Sequence, residues 1–288
     1  MIKCRLLTLL LLASFSSFSQ IKGKIIDEYN QPIPFVNIWI ENENIGTTSE
    51  ENGEFTINET DKNKNLVFSA LGYDKKIIKA IDNLKIVLKS SEIQLDEVVL
   101  LKKYLSKEIE IGKVKDKVLQ AFDNGPKIDI KFFPYLEKYK KTKFINKISV
   151  FTDSKIENAT IKLHFYKIDK NGFPAGELLQ KDIIVTVKKG TIKNTFNLEK
   201  LNLIMPKDGV FVGFEKLLID RNKIEKTVVN PMTKISKIQT SFAPILMIYR
   251  IEKPFTFVFY GGKWNKETSE LGEKLMISEP AINLILSN

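Results

Sequence analysis

The stretch IKGKIIDEYNQPIPFVNIWI (21–40) decides the fold. Ile21, Gly23 and Ile25 share one side of a first strand, and Asp27 to Pro34 supply a turn in which Pro32 and Pro34 fix φ. Val36, Ile38 and Ile40 then share a face, with Phe35, Asn37 and Trp39 opposite. That period of two is the mark of a half-buried strand. Further along, Gly46-Thr47-Thr48 and Asn52-Gly53 punctuate a hairpin, and Phe55 and Ile57 return to the core. Leu66-Val67-Phe68, Ile77-Ile78 and Ile86-Val87-Leu88 complete the set. Short strands at this spacing, with turn signals between them, predict an all-β sandwich.

Upstream of this stretch the chemistry is that of export. Lys3 and Arg5 form a positive start, Leu6 to Leu12 an apolar run, and small or polar residues follow to Ser19. This is the layout of a secretory signal peptide over residues 1–19, and the apolar run is too short to span a bilayer. Cys4 precedes that run, whereas a lipoprotein cysteine must follow it. Cleavage after Ser19 removes the one cysteine and two of the 45 basic residues, so the net charge falls from +10 to +8. The mature chain then has no thiol for catalysis, disulfides or metal. Arg221 and Arg250 are its only arginines, and the remaining positive charge is lysine scattered among glutamates. No basic cluster with interleaved aromatics points to nucleic acid. No later run of eighteen apolar residues predicts a transmembrane helix.

The strings IKGKIIDEYNQPIPFVNIWI, GTTSEENGEFTI (46–57), LVFSALGYDKKII (66–78) and EIQLDEVVL (92–100) together resemble the carboxypeptidase-regulatory-like domain. The resemblance implies a transthyretin-like sandwich over residues 20–100, of the kind found at the N-termini of outer-membrane proteins in Bacteroidetes. In carboxypeptidases this module supplies no catalytic residue. A zinc carboxypeptidase needs two histidines and a glutamate on the metal, and this chain has one histidine, His164. Relatives that carry LDEVV are most often TonB-dependent receptors, in which a plug and a barrel of about twenty-two strands follow. The 188 residues after position 100 are too few for it and lack the lipid-facing alternation.

Residues 101–127 are expected to form a linker and an entering strand, with Ile109 and Ile111 alternating with Glu108 and Glu110. Residues 128–288 carry strand signals at Phe144–Phe151, Ile161–Ile168, Ile183–Val187, Val210–Ile219, Phe255–Tyr260 and Ala281–Leu286. Turns at Asp169-Lys170-Asn171-Gly172, Pro206-Lys207-Asp208-Gly209 and Gly261-Gly262 divide them. About nine or ten strands with no helical period predict a larger sandwich of jelly-roll type. The stretch IKLHFYKIDKNGFPAGELLQKDIIVTVKKG (161–190), with VFVGFEKLLI (210–219), resembles the C-terminal half of carboxypeptidase-like envelope proteins. That resemblance implies a galactose-binding-like jelly roll.

Few residues offer chemistry. His164 is the one side chain able to act as a base near neutral pH unperturbed. It shares a strand side with Lys162 and Tyr166, and no GxSxG elbow accompanies it. It is expected to be an outward-facing structural histidine, dispensable for function. The candidate binding residues are aromatic: Trp264, Tyr260 and Tyr166. Trp264 either stacks on a sugar ring or caps the sandwich, and Trp39 either caps its own sandwich or joins a contact between the domains. Asp169, Asn171 and Glu177 tempt a calcium assignment but lack EF-hand spacing, and a plain turn is the simpler reading. No catalytic residue, metal site or cofactor is expected.

These observations favour an exported, non-catalytic protein of the periplasm or outer-membrane surface that binds a glycan, another polymer or an envelope protein. The alternatives are a carboxylate-dependent hydrolase of glycan or peptide, and a structural or regulatory partner of a TonB-linked transport system. Each sandwich is expected to own a core, with residues 101–107 as the site most open to trypsin.

Overall fold

A computed structural model describes residues 20–57, 61, 63–81, 84–91, 107–114, 118–121, 125–271 and 274–288. The signal-peptide segment 1–19 and, within the expected linker, residues 101–106, 115–117 and 122–124 lie outside the described residues.

The first seven strands are β1 (Ile21–Ile26), β2 (Asn37–Ile40), β3 (Gly46–Thr48), β4 (Glu54–Ile57), β5 (Asn65–Ser69), β6 (Lys76–Lys79) and β7 (Leu84–Val87). They form two sheets, ordered β4-β1-β7 and β3-β2-β5-β6. All pairings are antiparallel except β1 with β7. The alternating residues of 21–40 enclose one core, in which Ile25, Val36, Ile38, Leu66 and Phe68 are fully buried. Phe55 crosses from sheet to sheet and meets Phe68 edge-on at 5.7 Å. Gly23 makes room for it: a Cβ there would stand 2.7 Å from the Phe55 ring and 2.5 Å from the Leu84 carbonyl.

The second body begins with β8 (Glu108–Ile111), β9 (Leu119–Gln120), β10 (Ile128–Phe133), β11 (Phe144–Ser154), β12 (Ala159–Ile168) and β13 (Pro174–Glu177). It continues with β14 (Ile183–Val187), β15 (Gly190–Asn197), β16 (Val210–Lys216), β17 (Lys223–Val229), β18 (Ser236–Phe242) and β19 (Ile245–Glu252). The last strands are β20 (Thr256–Tyr260), β21 (Lys263–Glu267), β22 (Glu270–Leu271), β23 (Lys274–Pro280) and β24 (Ile282–Ser287). One sheet runs β13-β12-β16-β10-β20-β21, with β14 also on β12. The other runs β22-β23-β19-β11-β24-β8, with β15 on β11 and β9 on β19. Ile161, Leu163 and Phe165 of β12 and Val210, Val212 and Phe214 of β16 pack against Ile148, Val150, Ile282 and Leu284 of the opposite sheet. The protein is therefore two β-sandwiches in series, the all-β class the patterning predicts. Among the described residues no helix is long and apolar enough to cross a membrane.

The segment expected as an entering strand is β8, paired with β24. The expected strand list is nevertheless incomplete, for two opposite physical reasons. In β19, Leu246, Met247, Ile248 and Tyr249 are all buried, so the strand is apolar on both sides and shows no alternation. In β17 and β18 the reverse holds. They pair only with each other, as an arm in which every residue from Glu225 to Thr240 is exposed.

The sandwiches are packed together. Phe35 sits with Leu217 and Ile219, and Trp39, 2% exposed, meets Phe259 edge-on at 5.9 Å. Thr48 Oγ1 accepts from the Leu218 amide at 3.1 Å, and Glu50 Oε1 from the Asp220 amide at 2.8 Å. Each body has its own core, and this contact is additional to both.

Candidate functional site at the domain interface

Strand β12 alternates Ile161, Leu163 and Phe165 with Lys162, His164 and Tyr166. The first set enters the core of the second sandwich, so the second set must lie on the sheet's outer face. That face is where the first sandwich docks. His164 is therefore 6% exposed and Lys162 2% exposed, which overturns the outward-facing placement expected for His164. The patterning identified the correct face, but what covers it comes from residues more than a hundred positions away.

Two further strands complete the cluster. Glu177, at the end of β13, is paired in register with Tyr166, and Glu215 of β16 with Lys162. His164 Nδ1 lies 2.6 Å from Glu177 Oε1, and Nε2 lies 2.7 Å from Glu215 Oε2. A carboxylate accepts, so both ring nitrogens must carry protons and the ring is an imidazolium. Burial pushes its pKa down, but the charges and hydrogen bonds of Glu177 and Glu215 outweigh that and raise it to about 9. For Glu215 burial opposes ionisation, and the Lys162 charge, the His164 hydrogen bond and charge, and a bond from Asn37 hold its carboxyl below the usual range. Burial, with the Glu177 and Glu215 charges, pushes Tyr166 well above its ordinary value and keeps it a phenol. Lys162 Nζ bonds Asp182 Oδ2 at 3.1 Å and donates to the Phe35 carbonyl at 2.9 Å, across the domain boundary. Opposite His164 stands Gly213, where an added Cβ would lie 3.0 Å from the His164 Cβ.

Beside this cluster is a cleft of about 300 Å³ between the sandwiches. Tyr166, Trp264, Glu177 and Asp182 line it from the second sandwich, and Asn37 and the 69–73 segment from the first. The Tyr166 ring stacks on His164 at 5.3 Å with a 9° interplanar angle. Trp264 is half-buried and meets Tyr166 edge-on at 5.0 Å and Phe259 at 5.2 Å. The structure thus brings Trp264 and Tyr166 together. Tyr260, next to Phe259 on β20, projects to the other side of that strand and is no part of the cleft wall.

The arrangement has clear chemical limits. An imidazolium clamped by two carboxylates has no lone pair with which to take a proton from a serine or a water. Among the described residues no group of three or more histidine, cysteine, aspartate and glutamate side chains is placed to hold a metal ion. In the DKNG segment, Asp169 Oδ1 accepts from the amides of Asn171 and Phe173, each at 2.8 Å, so this carboxylate organises a turn. Sequence reading missed Asp182 and Glu215, and weighed Glu177 only as a calcium ligand, whereas its carboxylate holds His164 and the Phe165 amide. One signal was present for Glu215: in VFVGFEK (210–216) it is the lone acidic residue, following five residues without a charge.

The fold and the interface define a two-sandwich protein with an aromatic, carboxylate-lined cleft. Residues 21–100 match the CarboxypepD_reg-like domain, so the first sandwich is a domain of that family. No curated protein sequence matches the chain. Solved structures similar to it include BcpA*(D312A), the major pilin subunit of Bacillus cereus, at 10% identity over 91% of this chain and 84% of that one, with a TM-score of 0.19. Another is the infectious bursal disease virus VP2 subviral particle, at 10% identity over 88% of this chain and 62% of that one, with a TM-score of 0.24.

Proposed function

We propose that the protein is an exported, non-catalytic envelope protein that binds a segment of glycan in the cleft between its sandwiches. One observation carries this reading: the half-buried Trp264, set against Tyr166, shares the cleft with the carboxylates of Glu177 and Asp182 and the amide of Asn37. A sugar ring presents an apolar face to an aromatic wall and hydroxyls to carboxylate and amide acceptors, so both halves of the site have a partner. The clamped His164 supports binding over turnover. The Lys3, Arg5 and Leu6–Leu12 pattern supports export. The likeness of the first module to receptor N-termini supports a Bacteroidetes outer-membrane setting, with an envelope protein as the alternative occupant of the cleft.

Titration calorimetry of the mature chain against purified envelope polysaccharides and their fragments tests the reading. Binding is expected, and Trp264→Ala is expected to weaken it about tenfold or more, roughly the effect of losing one stacked aromatic contact. Hydrolysis of chromogenic glycosides, abolished by Glu177→Gln, would place the protein among carboxylate-dependent hydrolases. Absence of glycan binding, with an envelope protein captured through Trp264, would transfer the cleft to a protein ligand.

A further inference from the structure

The outer face of a sandwich sheet is normally polar, because it meets water. In the sheet that carries β12 an apolar strip runs beside the His164 cluster: Ile128, Ile130 and Phe132 of β10 lie beside Phe211 of β16 and Phe257 of β20. The first sandwich covers one end of this strip, where Phe259 meets Trp39. At the other end Phe173 and Phe255 pack on Phe257, at 4.6 and 5.5 Å, and leave a hollow beside them. There Phe132, Phe211 and Phe257 floor a pocket of about 460 Å³, walled by Ile168, Phe255 and Ile277. Its size and apolar lining are those of a small-molecule site, for which about 300–1,000 Å³ is usual.

The polar groups at the pocket are few and uneven. Glu279 lines it and is already engaged: Tyr249 Oη and Lys253 Nζ donate to its two oxygens, and Lys131 Nζ stands 3.8 Å away. Lys253 lines the pocket with its side chain 37% exposed, and its bond to Glu279 uses one of three N–H groups. Lys266 Nζ sits 3.9 Å above the centre of the Phe255 ring. Asp208 is the other carboxylate on the rim. Lys131 turns away to the Gly112 and Ile282 carbonyls, and Glu279 is satisfied by Tyr249 and Lys253, so the cations a ligand head would meet are Lys253 in the pocket wall and Lys266 at the Phe255 rim. A cationic ligand would need the Phe255 face, which Lys266 already holds.

We propose that this pocket binds a small monoanionic amphiphile, an acyl or aromatic body bearing one carboxylate, with its head at Lys253 and its body on Phe132, Phe211 and Phe257. Burial lowers the pKa of Lys131 to about 8, partly offset by the Glu279 charge. A bound anion would relieve the crowding of Lys131 and Lys253. The site is separate from the interdomain cleft and does not depend on what the cleft binds.

Dodecanoate is a suitable probe, compared by calorimetry with dodecanol and dodecyltrimethylammonium below their micelle concentrations, on the mature full-length chain. Dodecanoate is expected to bind at least about tenfold more tightly than either comparator, the effect of one charge-assisted contact. Phe255→Ser, at the rim, is expected to weaken it by a similar factor without loss of fold. Lys253→Met should weaken it and Lys253→Arg restore it, while Trp264→Ala leaves it unchanged. No binding of dodecanoate, equal binding of all three amphiphiles, or an unchanged affinity in Phe255→Ser would each overturn the proposal. The Phe255 variant keeps the test decisive if Lys253→Met unfolds through its unpaired Glu279.

Discussion

Lys162 Nζ donates a 2.9 Å hydrogen bond to the carbonyl of Phe35, a residue 127 positions earlier and in the other sandwich. Phe35 has φ of 54°, a left-handed conformation that a bulky side chain rarely adopts, and one that costs on the order of 1–3 kcal/mol. The conformation goes with two contacts: the ring packs with Leu217 and Ile219, and the carbonyl meets Lys162. A strained residue persists only where its surroundings over-determine it. Ser49 of its own sandwich accepts from the Phe35 amide, while the ring and the carbonyl are held by the second body, so the interface is a built contact.

Lys162→Met should separate the two bodies energetically. It leaves the Phe35 carbonyl and Asp182 without their cation and deprives Glu215 of a balancing charge. Breaking a buried pair from one side costs about 3–5 kcal/mol. Both tryptophans lie in this region, Trp39 against Phe259 and Trp264 against Tyr166. Urea unfolding followed by tryptophan fluorescence therefore reports the interface directly. The expected outcome is an early interface transition resolved from a later loss of β circular dichroism. A variant that unfolds as one unit at the wild-type midpoint would contradict it.

His164 is the only histidine, so its imidazole gives one resolvable resonance in the untagged chain. Its titration midpoint should lie near pH 9, well above the ordinary 6.5. The sign for stability follows. A raised histidine pKa contributes fully below about 6.5 and is lost as pH rises through about 9. The lowered Glu215 contributes above about 4.5 and is lost as pH falls through its depressed value. The contribution of this pair should thus be greatest between about pH 4.5 and 6.5. The melting temperature should decline from about pH 6.5 to 8, above which deprotonation of Lys131, lowered to about 8, acts in the opposite sense. A midpoint at or below 6.5 would show that the double clamp does not form in solution.

The expectation that His164 is dispensable does not fit its surroundings. His164→Ala leaves Glu177 and Glu215 facing a vacated buried space, and a loss of about 3–5 kcal/mol is expected from denaturant midpoints. Pairing the substitution with Glu177→Gln removes one of the uncompensated charges. The double variant should be more stable than His164→Ala alone. Additive losses would show that the clamp is not the source of the effect.

The arm formed by β17 and β18 should be the first described segment cut by trypsin. Lys226, Lys234 and Lys237 are exposed, and the arm pairs with no other strand. A two-stranded ribbon alone is only marginally stable in water, so local opening is easy. Mass spectrometry of a short digest should show cleavage after Lys234 or Lys237, with the two resulting chains still associated. First cleavage within β12 or β16 would contradict the fold described.

Much of the architecture was legible because one side of most strands meets water. The alternation in 21–40 gave β1 and β2, and Ile161 to Ile168 placed Lys162, His164 and Tyr166 on one face. Legibility failed where period two vanishes, in β19, buried on both sides, and in the arm, exposed on both. The site was half legible for a related reason. Alternation tells which residues share a face but not what lies over it, so His164 read as exposed until Phe35 and Asn37 covered that face. Glu177 and Glu215 reach His164 only through strand pairing across 13 and 51 positions. Tyr260 was misplaced by one residue, since its neighbour Phe259 faces the cleft.

The arm also has a consequence for life in a crowded compartment. A ribbon of two strands has two open rails, each a row of amide and carbonyl groups ready to accept a third strand from any chain in extended form. Val228 stands opposite Lys237, and Pro231 lies in the loop that turns the ribbon. Lysine and proline are the residues with which proteins discourage such unplanned pairing. Neutralising Lys226 and Lys237 together would remove that guard and leave Val228, Val229 and Ile238 free to recruit one another into fibres.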